Sequence, residues 1–196
     1  MNQVYEPLPV SFYQKETLNL AQSLLGCLLV KETNEGLTSG YIVETEAYKG
    51  PEDRAAHSYR NRRTKRTEVM YKEAGRVYTY QMHTHTLFNV VSAGTDQPEA
   101  VLIRALEPND GVSLMEKRRN GKKLRDLTNG PGKLAKALGI TMDDYGKQLT
   151  EPPLYLAKGY IPKGISCGPR IGIENSEEAR FYPWRFWVKG NHYVSK

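Results

Sequence analysis

The sequence predicts a mixed α and β (α+β) domain built on a curved, largely antiparallel sheet with helices packed around it. Three observations carry this. Apolar and aromatic runs of strand length recur along the chain, separated by short turn signals. Only a few segments show apolar residues at helical spacing. No repeat, low-complexity tract or linker divides the 196 residues, which suit one domain over 1–196.

Taken in order, residues 15–25 (KETLNLAQSLL) place leucines and an alanine at helical spacing, and Gly26 is positioned to stop the helix. CLLVKE reads as a strand, TNEGLTS as a turn, and YIVETEAY as the partner strand. RVYTYQM and TLFNVVS predict two further strands. AVLIRALEP predicts another after the turn AGTDQPE. A helix over GVSLMEKRRN is expected, capped by Asn109 or Asp110. A second helix starts within NGPGKLAKALG and stops at Gly139. PRIGIE and RFWVKG are expected as strands near the end. Trp184, Phe186 and Trp187 are expected in or near the core, and Cys27 and Cys167 as buried small hydrophobes.

Composition narrows the function classes. No apolar stretch approaches the roughly 20 residues that span a bilayer, and no basic-then-apolar leader is evident in MNQVYEPLPVSFYQ. Two cysteines outside any C-x-x-C pair support neither a disulfide framework nor a zinc knuckle, so a reducing cytoplasm is expected. The pair His83 and His85 lacks further ligands at diagnostic spacing, so no metal and no cofactor is expected. The formal charge is +6 and the pI about 9.2. Much of the surplus lies in RAAHSYRNRRTKRT, where Arg54, Arg60, Arg62, Arg63, Lys65 and Arg66 flank His57 and Tyr59 without an acid among them. Taken alone, such a run is more often a solvated loop; with interleaved aromatics it suits phosphates and bases. Gly-Pro-Gly opening a helix can present N–H groups to a phosphate, with Lys133 adding charge, or be an ordinary helix start.

In YIVETEAY, alternation puts Ile42, Glu44, Glu46 and Tyr48 on one face, and Val43, Thr45 and Ala47 on the other. The two carboxylates would lie about 7 Å apart on a regular strand. They lead straight into the basic loop, an awkward place for a carboxylate unless chemistry uses it.

The run IVETEAYKGPEDRAAHS resembles the central motif of the alkyladenine (3-methyladenine) DNA glycosylase family. VYTY, FNVVS, VLIRALEP, NGPGKLAKALGI, PRIGI and RFWVKGNHYVS resemble further family motifs, in the family's order, from about Leu18 to Ser195. The resemblance implies a monofunctional glycosylase of base excision repair. Such an enzyme flips an alkylated or deaminated purine from duplex DNA and hydrolyses its N-glycosidic bond, leaving an abasic site. By the same resemblance Glu46 is the general base and Arg104 sits near the catalytic water. Tyr48, His57 and Tyr80 line the base pocket, and Asn89 crowds the amino group of guanine. The family's usual Tyr-Gly-Met after the aromatic strand is replaced here by QMHTHTLFN, which leaves Met82 or His83 as the wedge that fills the gap in the DNA. Arg60, Arg62, Arg63 and Lys133 are the expected DNA contacts. A monomer acting on damaged double-stranded DNA at the cytoplasmic nucleoid follows. Two alternatives remain: a helix-hairpin-helix glycosylase using Asp143 or Asp144, and a non-catalytic nucleic-acid-binding module.

Overall fold

The computed structural model describes residues 5–195. Residues 1–4, which begin the stretch read above as lacking a leader, lie outside them. The helices are α1 (Val10–Tyr13), α2 (Thr17–Ser23), α3 (Val112–Arg118) and α4 (Pro131–Leu138). The strands are β1 (Leu28–Thr33), β2 (Gly36–Tyr48), β3 (Val77–Met82), β4 (His85–Ser92), β5 (Glu99–Pro108), β6 (Leu154–Ala157), β7 (Ile165–Gly168) and β8 (Arg185–Val188). They form one antiparallel sheet in the order β3-β4-β5-β2-β1-β6, curled into a half-barrel, with β8 also on β2 and β7 on β8. The fold class read from the sequence is the one observed. The strand-rich sheet removes the helix-hairpin-helix alternative, and Asp144 is a buried partner of Lys31 and Lys147.

The two faces of the sheet have different jobs because side chains alternate. Val77, Phe88, Val90, Val101, Ile103 and Ala47 point into the main core, against Leu20, Ala21 and Leu24 near α2 and Leu134, Ala135 and Leu138 of α4. Each fully buried leucine contributes about 1.5–3 kcal/mol. The residues between them, Tyr78, Tyr80, Leu87, Val91, Ala100 and Leu102, gather on the other face with Tyr48. That second face carries the candidate site.

β2 is long enough to be shared. Its first half pairs with β1 and its second half with β8, while β5 runs along the opposite edge. The β2–β5 register shifts around Val43–Glu44 and Arg104 and is restored at Thr45. This β-bulge breaks the alternation expected above: Ile42 joins Val43 and Ala47 in the main core rather than sharing the face of Glu44.

Other expectations are corrected. The cap of α3 is neither Asn109 nor Asp110 but Gly111, at φ 70°. A Cβ there would sit 2.2 Å from the Leu37 carbonyl oxygen, so only glycine fits. The Asp110 carboxylate is instead taken by Tyr5, Ser39 and Asn109. Residues 169–174 (PRIGIE) form bends, not a strand. The buried Arg170 and the Ile171 N–H are bonded away from any ladder, and Gly172 adopts φ 79°. Cys167 is exposed and Cys27 half-buried. β6 and β7 were not foreseen, being only four residues long.

Candidate active site

A cavity of about 420 Å³ opens on the second face of the sheet. That lies within the roughly 300–1,000 Å³ common for small-molecule sites. Tyr48 of β2, His57 of the basic loop, Tyr78 and Tyr80 of β3, Asn89 of β4 and Arg104 of β5 line it. Met82 and Pro131 stand in its wall, and residues 171–176 close one side. The sheet register explains the convergence. Tyr78 faces Asn89 across β3–β4, Asn89 faces Leu102 across β4–β5, and Leu102 faces Glu46 across β5–β2.

Glu46 is fully buried, directly behind the cavity wall. Its Oε1 accepts from the Ile171 N–H at 2.7 Å. Its Oε2 accepts from the Tyr48 hydroxyl at 2.9 Å and from Arg104 at 3.3 Å. All three donors belong to residues that line the cavity. Burial pushes the Glu46 carboxyl up, against the opposing pull of Arg104, the Ile171 N–H and Tyr48. Arg104 favours the ionised form, but desolvation outweighs it. Glu44, also fully buried, accepts from Arg104 Nε, Arg185, and both the backbone N–H and hydroxyl of Ser195. One guanidinium is thus forked between two carboxylates, and the C-terminal segment is tied to them.

Tyr48 is backed by a second ion pair. Arg170 and Asp53, both fully buried side chains, make contacts of 2.5 and 2.8 Å. The same guanidinium donates to the Ala47 and Ala179 carbonyls and stacks on the rings of Tyr48 and Trp184, 4.7 and 5.0 Å from their centroids. Neither Asp53, Arg170, Ile171 nor Ser195 stood out in the sequence. The only signal was an acid and an arginine inside apolar or Gly/Pro-rich motifs.

His57 Nδ1 lies 2.7 Å from the Tyr78 hydroxyl, and its ring meets Tyr80 edge-on at 4.6 Å. Burial pulls its pKa down to about 4, helped by Arg66 and Arg62, so the ring is neutral near pH 7. Asn89 donates Nδ2 to the Tyr78 carbonyl at 3.0 Å, which fixes its amide. Met82 is 45% exposed at the tip of the β3–β4 hairpin, and His83 occupies its turn at φ 53°.

The basic residues divide. Arg54 is held by Glu177 and Glu178. Arg63 grips Glu68 through two hydrogen bonds, at 2.9 and 2.7 Å, and covers Tyr71. Arg60 lies over Tyr59. Arg62, Lys65 and Arg66 are exposed without an ion pair among the described residues. Lys133, on the first turn of α4, is exposed and bonded to Asn129. Among the described residues no group of three or more His, Cys, Asp or Glu is placed to hold a metal. No helix among them is long and apolar enough to cross a membrane.

The model of the methylpurine-DNA glycosylase family matches residues 11–192. The chain belongs to that family. Family membership makes it a hydrolase of N-glycosidic bonds with DNA as substrate. Among similar proteins, one from Bacillus licheniformis is 76% identical over 196 residues, covering 100% of both chains. One from Bacillus subtilis is 69% identical over the same span, again 100% of both. A third, from Bacillus velezensis, is 66% identical over 191 residues, 97% of each chain. Each is provisionally named a 3-methyladenine DNA glycosylase.

Proposed function

We propose that this glycosylase everts a damaged purine into the aromatic cavity and hydrolyses its bond to the sugar with a water activated by Glu46. It works as a monomer on duplex DNA at the nucleoid, without a cofactor, and leaves an abasic site. The observation that carries the reading is the position of Glu46: a buried carboxylate one hydrogen bond behind Tyr48, Arg104 and Ile171 of the cavity wall.

The chemistry needs little else. Alkylation at N3 or N7 makes the purine a cation and a good leaving group. What remains is to deprotonate water and to stabilise an oxocarbenium-like sugar. A carboxylate whose pKa burial has raised is a stronger base than an ordinary glutamate, and once ionised it faces the developing positive charge. Tyr48 and Tyr80 offer π faces to a cationic base, worth about 2 kcal/mol when desolvated. Neutral His57 adds an edge without repelling it. Asn89, its amide locked, provides a steric check on the guanine amino group. Of the two wedge candidates, Met82 is favoured: it is apolar, exposed and part of the cavity wall, whereas His83 is held in the turn.

Incubation with methylated duplex DNA is expected to release free alkylpurine and leave strands that break only after alkali. Borohydride should trap no covalent complex. Binding without base release would instead mark a non-catalytic nucleic-acid-binding module.

The phosphate footprint is assigned to Arg60, Arg62, Arg66 and Lys133, with a smaller share for the internally paired Arg63. Neutralising Arg62 and Arg66 together is expected to weaken binding to all sequences. It should also reduce the slope of log K against log salt by about 1–2. An unchanged slope in a salt titration would move the footprint elsewhere.

A further inference from the structure

We propose that Glu174 biases the cavity toward cationic, alkylated purines over neutral damaged ones. The inference rests on the reading that the cavity receives an everted purine.

Among the described residues lining the cavity, the ionisable side chains are Tyr48, His57, Tyr78, Tyr80, Arg104 and Glu174. Burial keeps the tyrosines and His57 uncharged near neutral pH. The charge of Arg104 is already met by Glu44 and Glu46 behind the wall. Glu174 is different. It is exposed and has no hydrogen-bond or ion-pair partner among the described residues, whereas Glu177 and Glu178 of the same loop are bound to Arg54. The loop is pinned at both ends by Arg170, which sits at its start and donates to the Ala179 carbonyl at 3.2 Å. The Ser176 N–H closes a turn onto the Ile173 carbonyl at 3.0 Å. An uncompensated carboxylate is therefore held beside the space a base would fill.

A purine alkylated at N3 or N7 carries a full positive charge; hypoxanthine and ethenoadenine do not. A carboxylate at the rim of a cleft still open to water favours entry of the cation by about three- to tenfold. It does nothing comparable for a neutral ring. As the glycosidic bond breaks, the positive charge passes from the purine to the adjoining sugar, so the preference persists into the transition state. Arg62 and Arg66 act the other way, as their effect on His57 shows. Phosphates would neutralise them once DNA is bound.

The test is single-turnover base release at saturating enzyme from duplexes carrying 7-methylguanine, hypoxanthine or ethenoadenine. In E174Q the ratio of cationic to neutral rates is expected to fall about three- to tenfold, and further in E174K. E174D should stay near wild type. E151Q, the same charge change at an exposed acid outside the cavity, should leave the ratio unchanged. Should the wild type release no neutral base, the fall is read on 7-methylguanine alone, with affinity for abasic duplex unaltered. An unchanged ratio in both E174Q and E174K overturns the proposal, as does an equal loss on every lesion. Failure of the wild type to release even 7-methylguanine would sink the functional reading instead.

Discussion

Replacement of Glu46 by Gln is expected to reduce base release by at least about a thousandfold while DNA affinity is retained. A positioned general base contributes typically 10²–10⁴-fold, and in the proposed mechanism the same group also faces the developing sugar cation. The amide is nearly the same size: its one oxygen still accepts from the Ile171 N–H, and its NH2 group, in the place of the other oxygen, donates to the Tyr48 hydroxyl. Arg104 keeps Glu44 as its counter-charge, so the fold is expected to stand. The wild-type rate should carry an acid limb. In the proposed mechanism Glu46 works deprotonated, so activity is expected to fall as pH drops through its pKa. Because burial raises that pKa, the limb should lie above the roughly 4.3 of an ordinary glutamate. His57, whose pKa is lowered to about 4, titrates too low to imitate it. Single-turnover rates across pH check both points. Wild-type speed in E46Q, or a limb that survives the substitution, would remove Glu46 from its role.

The second large effect concerns the buried pair behind Tyr48. Asp53→Asn leaves the Arg170 guanidinium fully buried and short of its counter-charge. Breaking such a pair costs about 3–5 kcal/mol, a large share of the 5–15 kcal/mol that separates native from unfolded states. Asp53 also accepts from the Lys49 and Ala55 N–H groups, so the loop entering the basic segment loosens with it. Denaturant unfolding of D53N should show this loss. The double variant D53L/R170M removes both charges and is expected to recover much of the stability. Base release should nevertheless stay depressed, by about tenfold to a hundredfold. Arg170 holds the ring of Tyr48 and starts the segment whose Ile171 N–H positions Glu46. Recovery of stability and rate together would make the pair purely structural.

Much of the architecture was legible because it is local. Alternation in the β3 and β4 runs, leucine spacing in α2, Pro131 at the first turn of α4 and Gly139 after its last are properties of contiguous residues. Where a long-range contact competed, local reading failed. Gly111 displaced Asp110 as a cap because the chain passes against the Leu37 carbonyl. PRIGIE did not become a strand because Arg170 and Ile171 bond to Asp53 and Glu46, 117 and 125 residues away in sequence.

The same division runs through the site. By itself the sequence determined which residue types were present and in which motifs: a carboxylate at 46, aromatics at 48, 57 and 80, a basic loop between them, and the family these motifs mark. Tertiary structure alone decided their states. Curling the sheet put residues from β2, β3, β4 and β5 around one cavity. Burial then raised the Glu46 carboxyl and kept His57 neutral, while the exposed loops tied Arg63 to Glu68 and left Glu174 without a partner among the described residues. A side chain's identity is written in the sequence, but its charge depends on how much water and which partners the fold leaves beside it.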